Sequence, residues 1–389
     1  MNNEQIALIA LLRQQLTGKE QRLPDPVDWQ KVCYQAQRHG VGAMAYCGAK
    51  AMNVSWQESL EKPMFLDYQR AIFRDVQFRS LAQRVSQKLE EHGVPHILLR
   101  GVCLKQNYPI SALRTMSDID ILVRVEDFET IRGIAEEMGA VAGHSDGNHR
   151  NYRFPEGLTI EFHPELIHCD SPVATGINPG WQYAREERPG AMELTEEGFY
   201  LNVIGHLANH FAAGGIGIRF VMDVWICRHC RTPQPDRAKV EQELRRIGLY
   251  EFALQIESLA EHWFSGAPEE ENTRELAEYI ISSGSHGTAD RAMLNAVALS
   301  KGGSGASALV KKAFFSRQEM EQRYPWVQGK PLLLPAAWCA RAFRAVTVHG
   351  NLILKWGKGT MSVKKEDTQE QREKLKRFGI ENKEKKEAK

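Results

Sequence analysis

Met116-Ser117-Asp118-Ile119-Asp120-Ile121-Leu122-Val123 reads as a short strand with its chemistry on one side. Ile119, Ile121 and Val123 alternate with Asp118 and Asp120, the period-two pattern of a strand with one buried face. Side chains two apart on a strand project the same way, so the two carboxylates share a face. Two like charges beside an apolar strand are costly unless positive charge sits between them, and without it one aspartate is harder to ionise. A divalent cation meets that need, and hard oxygen ligands suit magnesium. The alternative is a surface strand with two solvated aspartates, so the flanking segments matter.

Upstream, His96-Ile97-Leu98-Leu99 is a second short apolar strand, followed by Arg100-Gly101 and a helix over about Val102–Asn107 that Tyr108-Pro109 closes. A glycine at a strand-to-helix turn lets backbone approach a ligand, and the helix start beside it offers free N–H groups to a phosphate. Lys105 and Arg114 could add positive charge. Downstream, Val125–Met138 reads as a helix, and residues 149–154 and 158–163 as two strands joined by the turn Pro155-Glu156-Gly157. On the second of these, Thr159, Glu161 and His163 face one side, Ile160 and Phe162 the other. Glu161 is then a third carboxylate that can complete a metal site or take a proton from an attacking hydroxyl. Ser117 and His163, next to these acids, join the candidate ligand-binding set. A plain turn at Gly101 and an edge-strand glutamate in water are the bland readings of the same residues.

The rest of the chain reads as helical. Helices are expected over 4–16, from an Asp28 cap to about His39, over Val41–Ala51 and over 64–92, where Gly93-Val94-Pro95 stops the last. After about residue 175 the expectation is helix again: from Thr195 or Glu196 to Ala213, then Ile218–Arg228, 236–247, 249–264, 273–282 and 333–349. Residues 301–306 read as a flexible loop, and the segment from Ser362, rich in Lys and Glu, as a solvated helix or disordered. The expected divisions are a helical segment at 1–62, an α/β core at 63–175, a helical part at 176–361 and a charged tail at 362–389.

Within the helical part, His206 and His210 lie four apart and share a helix face. Zinc proteases need a glutamate between two such histidines, and Leu207-Ala208-Asn209 supplies none, so that activity is excluded. The pair either packs among helices or touches a nucleotide or acceptor, with Asn209, Arg219 and Asp223 as further candidates of that kind. Cys227-Arg228-His229-Cys230 has no second pair and falls short of a zinc site. The seven scattered cysteines do not form a secreted disulfide framework and fit a reducing cytoplasm. A net charge of +1 over 389 residues gives no basic field of the kind that marks a general nucleic-acid binder. No signal peptide and no apolar run long enough to span a bilayer is read.

The sequence Leu98-Leu99-Arg100-Gly101, then Tyr108-Pro109, Arg114-x-Met116-x-Asp118-Ile119-Asp120-Ile121-Leu122-Val123 and Ile160-Glu161-Phe162-His163 resembles a bacterial family of nucleotidyltransferases, mostly uncharacterised, within the DNA polymerase beta-like superfamily. The likeness covers about residues 95–170 and runs on loosely through His206-Leu207-x-x-His210 and Gly215–Asp223. Val102 stands where the superfamily usually has a second Gly or a Ser, and Arg100 where the nearer family often has Lys. The resemblance implies an α+β fold, a small mixed-sheet nucleotidyltransferase core flanked by N- and C-terminal helical segments. It implies Asp118, Asp120 and Glu161 as metal ligands and Gly101 as the phosphate-loop glycine. It further implies two Mg2+ ions, an NTP substrate with ATP first, and an acceptor that is a small molecule or protein. The rival expectation is a catalytically inactive member of the fold that binds or regulates.

Overall fold

The computed structural model describes residues 1–381 apart from 20, 144–148, 168–170, 172, 174, 189–190, 286, 316, 318–319, 322–323 and 344–358. Cys169, the end of the helix expected at 333–349 and the last residues of the tail lie outside the described residues.

Four helices open the chain: α1 (Asn3–Thr17), α2 (Trp29–Arg38), α3 (Gly42–Ala51) and α4 (Glu58–Glu91). Asn2 and Gln5 form a reciprocal capping box on α1, and the Asp28 carboxylate caps α2 by accepting from the Gln30 and Lys31 backbone N–H groups. Then comes the sheet: β1 (His96–Leu98), β2 (Asp118–Leu122), β3 (Val141–Ala142), β4 (Arg150–Arg153), β5 (Thr159–His163), β6 (Ala184–Arg188) and β7 (Ala191–Leu194). Its order is β3-β4-β5-β2-β1-β7-β6, with β2–β5 and β1–β7 parallel and the other pairs antiparallel. Helices α5 (Arg100–Leu104) and α6 (Phe128–Glu137) are threaded between strands. The C-terminal helices are α7 (Glu196–Ala213), α8 (Ile218–His229), α9 (Arg237–Ile247), α10 (Tyr250–Ala260), α11 (Glu271–Ser283), α12 (Ala289–Ala298) and α13 (Gly305–Ala313). The α+β class and the flanking helices are as expected.

Two apolar cores divide the molecule at the sheet. On one face, Ile119, Ile121, Ile160 and Phe162 pack with Phe78, Leu81 and Val85 of α4 and Ile131 and Ile134 of α6. The larger core lies on the other side and joins the N-terminal helices to the C-terminal ones. Arg13 pins that junction, donating from Nε to the Trp263 carbonyl at 2.6 Å and from Nη2 to the His262 carbonyl at 2.9 Å. The face of β2 and β5 that carries the acids points toward this second side, where α7 and α8 cover it.

Three expectations are corrected. The chain after residue 175 is not purely helical, because the β6–β7 hairpin completes one end of the sheet. Residues 301–306 are not a loop throughout: a turn of 3-10 helix spans Lys301–Gly303, and Ser304 caps α13, which starts at Gly305. The C-terminal helix Lys365–Arg377 is not a solvated tail, since Leu375, Phe378 and Ile380 are buried in the large core. Its Gln371 Nε2 donates to Asn295 Oδ1 at 2.7 Å, and its Arg372 Nε to the Ala298 carbonyl at 2.8 Å. Residues 334–343 are helical, as far as the described part of the expected 333–349 helix goes.

Candidate active site

Parallel pairing of β2 with β5 sets the site. Asp120 lies opposite Glu161 in the register, Asp118 opposite Thr159 and Leu122 opposite His163. Alternation then puts Asp118, Asp120, Glu161 and His163 on one face, above the apolar layer of Ile119, Ile121, Ile160 and Phe162. They line a cleft of about 290 Å3, roofed by α7 and α8.

Cations reach Asp120 from both sides. Arg100 Nη2 donates to Asp120 Oδ2 at 2.7 Å, and its Nη1 donates to Asn202 Oδ1 on α7 at 3.1 Å. His163 Nε2 lies 3.0 Å from Asp120 Oδ1 and 3.4 Å from Glu161 Oε2. The other Glu161 oxygen, Oε1, accepts from Asn151 Nδ2 at 3.2 Å. Burial alone would raise Asp120, but Arg100 and His163 hold it well below the usual carboxylate range. The hydrogen bond from His163 lowers Glu161. Burial works against the charged His163 ring, yet its bonds to Asp120 and Glu161 raise it to about 9. Asp118 fares differently: burial and the charges of Asp120 and Glu161 push it up to about 6. It is therefore the aspartate of the pair that is harder to ionise, and it has no ion pair among the described residues.

The upstream turn differs from its expected form. Helix α5 begins at Arg100 and is five residues long. Arg100 itself takes a positive φ of 22°, a backbone region sparsely used by non-glycine residues. Gly101 lies close to the cleft's side chains: a Cβ there would stand 3.1 Å from Arg114 Nη1 and 3.2 Å from Met116 Cε, tight enough to displace those side-chain ends. Gly101, Arg114 and Ser117 line the cleft, as do His206, His210, Asn209, Arg219 and Asp223. Lys105 does not. It is buried against Asp75 of α4, with which it forms an ion pair, and borders a separate cavity next to the N-terminal helices. Arg114 is clamped by Asp223, Nε to Oδ1 at 3.1 Å and Nη2 to Oδ2 at 2.8 Å, and Tyr108 donates to the same Oδ1 at 2.6 Å.

On the roof, the His206 and His210 rings stand 4.3 Å apart, and Phe220 packs 5.9 Å from the first and 5.5 Å from the second. Burial, then Arg100 and His210, hold His206 well below its ordinary range, so it is a neutral imidazole. Arg219 is tied to the Thr115 carbonyl beside it. Cys227 and Cys230 are not drawn into the site; burial raises both thiols.

Residues of the site that escaped the sequence reading include His149, Asn151, Asn202, Glu165 and Phe220. The ring of His149 lies 5.3 Å from that of His163. Antiparallel pairing sets Asn151 opposite Glu161. Applying alternation to the 149–154 strand would have found the first two. Nothing local marks Asn202.

The donor chemistry fits a divalent cation. One atom each of Asp120, Glu161 and His163 lies within 4.8 Å of the others, and Asp118 adds a fourth group on the same face. Of the three carboxylates, Asp120 and Glu161 are bonded to Arg100 or His163 while Asp118 forms no ion pair among the described residues, and a metal would relieve that charge.

Sequence comparison supplies the class. The profile of a family described as uncharacterised nucleotidyltransferase matches residues 25–265, a span that holds the whole sheet and all the residues of the cleft. The chain belongs to that family. No curated protein and no solved structure matches it. Among the described residues, no helix is long and apolar enough to cross a membrane.

Proposed function

We propose that this chain transfers a nucleoside monophosphate from a nucleoside triphosphate, ATP first among them, to an acceptor hydroxyl and releases pyrophosphate. The observation that carries the reading is the in-register pairing of Asp120 with Glu161, with Asp118 on the same face of the cleft. This arrangement suits a DNA polymerase beta-like nucleotidyltransferase of bacterial, cytoplasmic type. The free thiols of the described cysteines agree with that setting. Residues 63–175, completed by the β6–β7 hairpin, then form the catalytic core, with α7 and α8 from the 176–361 part as its roof.

Asp118, Asp120 and Glu161 would hold two Mg2+ ions, which when bound neutralise the triphosphate and polarise its α-phosphorus. The chain's own groups do the positioning. Arg100 fixes the Asp120 carboxylate, and Asn202 fixes Arg100. Arg219 gives the cleft positive charge suited to phosphate oxygens, and Arg114, held by Asp223, lies beside it. Neutral His206, with His210 and Phe220, offers flat surfaces to a base or acceptor. The acceptor oxygen forms a bond to the α-phosphorus as the bond to the pyrophosphate oxygen breaks, and the hydroxyl proton passes to Glu161 where that carboxylate serves as base instead of as a metal ligand, or otherwise to water. The acceptor is a small molecule or a protein; nucleic acid in general is disfavoured by the near-neutral charge.

The test is calorimetry of ATP with and without Mg2+, followed by incubation with α-labelled nucleotide and cell lysate to find where label lands. Mg2+-dependent binding and a labelled acceptor are expected, both lost in Asp118→Asn. A folded protein that binds no nucleotide in the presence of Mg2+ would overturn the reading in favour of a regulatory module.

A further inference from the structure

The side chains around His163 are arranged for more than a hydrogen bond. Each neighbouring carboxylate has one oxygen held from behind and the other aimed at the same ring nitrogen. Arg100 holds Asp120 Oδ2 at 2.7 Å, leaving Oδ1 facing His163 Nε2 at 3.0 Å. Asn151 holds Glu161 Oε1 at 3.2 Å, leaving Oε2 facing Nε2 at 3.4 Å. Partners that fix the outer oxygen of a ligand are how metal sites orient their donors. The two distances from His163 Nε2 fall in the range that ligands of one ion keep: donors about 2.1 Å from a metal stand roughly 3.0 Å apart along an octahedral edge and roughly 3.4 Å along a tetrahedral one. Asp118 lies outside this cluster, two residues away on the same strand face, and offers oxygen alone.

We infer that the two ion positions of the cleft are chemically unequal, and that the one shared by Asp120, Glu161 and His163 takes a first-row transition ion through His163 Nε2. This rests on the metal-dependent reading given above. An imidazole nitrogen contributes little to magnesium, which prefers oxygen, but binds manganese and the later divalent ions more strongly. The position at Asp118 and Asp120 stays suited to Mg2+. The competing occupant of the same space is the Nε2 proton, which bridges the two carboxylates without any metal.

Full-length protein loaded with Mn2+ alone tests this by pulsed electron paramagnetic resonance. Bound Mn2+ should show modulation from a directly coordinated imidazole nitrogen, and its frequencies should change when histidine is labelled with 15N. His163→Gln should abolish that coupling and weaken Mn2+ binding roughly tenfold or more. His149→Gln should leave it in place. The preference for Mn2+ over Mg2+, read by calorimetry, should shrink in His163→Gln. Wild-type protein that binds Mn2+ without nitrogen coupling, or coupling that vanishes in His149→Gln, would overturn the inference. If His163→Gln fails to fold, the isotope experiment on the wild type decides alone. Mg2+-dependent nucleotide transfer with no nitrogen coupling would sink this inference and leave the proposed function standing. Nitrogen coupling in a protein that transfers no nucleotide would do the reverse.

Discussion

Two buried acidic centres in this molecule are built on opposite terms. Glu257 on α10 is a single carboxylate surrounded by Tyr200, Arg228 and Arg237, the last donating from Nη1 and Nη2 at 2.8 and 2.6 Å. Both of its oxygens are engaged, and the arginines reach on to two outer acids, Arg228 to Glu261 at 3.7 Å and Arg237 to Glu241 at 3.3 Å. In the cleft, the cationic side chains bonded to Asp118, Asp120 and Glu161 among the described residues are Arg100 and His163 alone, and Asp118 is left with its ionisation suppressed. A saturated carboxylate ties helices together. An under-neutralised group of carboxylates is a cost that persists where a ligand cation relieves it.

The comparison can be broken by mutation. Glu257→Ala removes the central acid and leaves Arg228 and Arg237 only their outer partners Glu261 and Glu241. Breaking a buried pair costs 3–5 kcal/mol, and since these arginines are 33% and 41% exposed the low end, about 3 kcal/mol, is expected in urea unfolding. Asp118→Asn should act the other way round. Nucleotide transfer falls about a hundredfold or more, the scale of removing a charge-stabilising group, while metal-free stability is equal or higher. If Asp118→Asn unfolds the protein, the cleft is structural like Glu257. Asp120 is the poorer probe, because Asp120→Asn also strips Arg100 of its partner.

A smaller effect concerns His39, which is buried between helices. Its Nε2 lies 3.1 Å from the Ile281 carbonyl and its Nδ1 accepts from the Ile218 backbone N–H at 3.4 Å. Burial, together with Arg38, lowers it to about 4 from an ordinary value of 6.5. The unfolded chain binds this proton more readily than the folded one, so the stabilisation is complete above pH 6.5 and is lost as pH falls toward 4. From pH 7 to 5 about 2 kcal/mol should go, and His39→Gln should flatten that slope in urea unfolding. The smallest effect is expected at Arg132, whose pairs with Glu129 and Glu136 lie in solvent. Arg132→Ala should leave the unfolding midpoint within error, since exposed pairs are screened.

How far the cleft was legible varies from residue to residue. Asp118, Asp120, Glu161 and His163 could be placed on shared faces because strand alternation is local. His206 and His210 could be paired by helical spacing. The β6–β7 hairpin could not be seen: Arg185, Glu186, Glu187 and Arg188 show no apolar alternation, and charge of that kind is what a strand at the end of a sheet carries to discourage further pairing. The C-terminal helix was hidden for a related reason. Only Thr368, Gln371 and Leu375 within it, and Phe378 just after, make its buried stripe, at spacings of three and four amid lysines and glutamates.

By itself the sequence determined the periodicities, hence which acids share a strand face, where helices begin at Asn2, Asp28 and Thr195, and which turns stop them. Those are interactions among residues a few positions apart. Tertiary structure alone decided that β5 pairs with β2 so that Glu161 stands beside Asp120, that Arg100 reaches back to Asp120 and forward to Asn202, and that Lys105 turns away to Asp75. Those choices depend on sheet order and on the closing of two apolar cores around the sheet. Burial in those cores sets the cost of each unpaired charge, and so which basic side chain neutralises which acid.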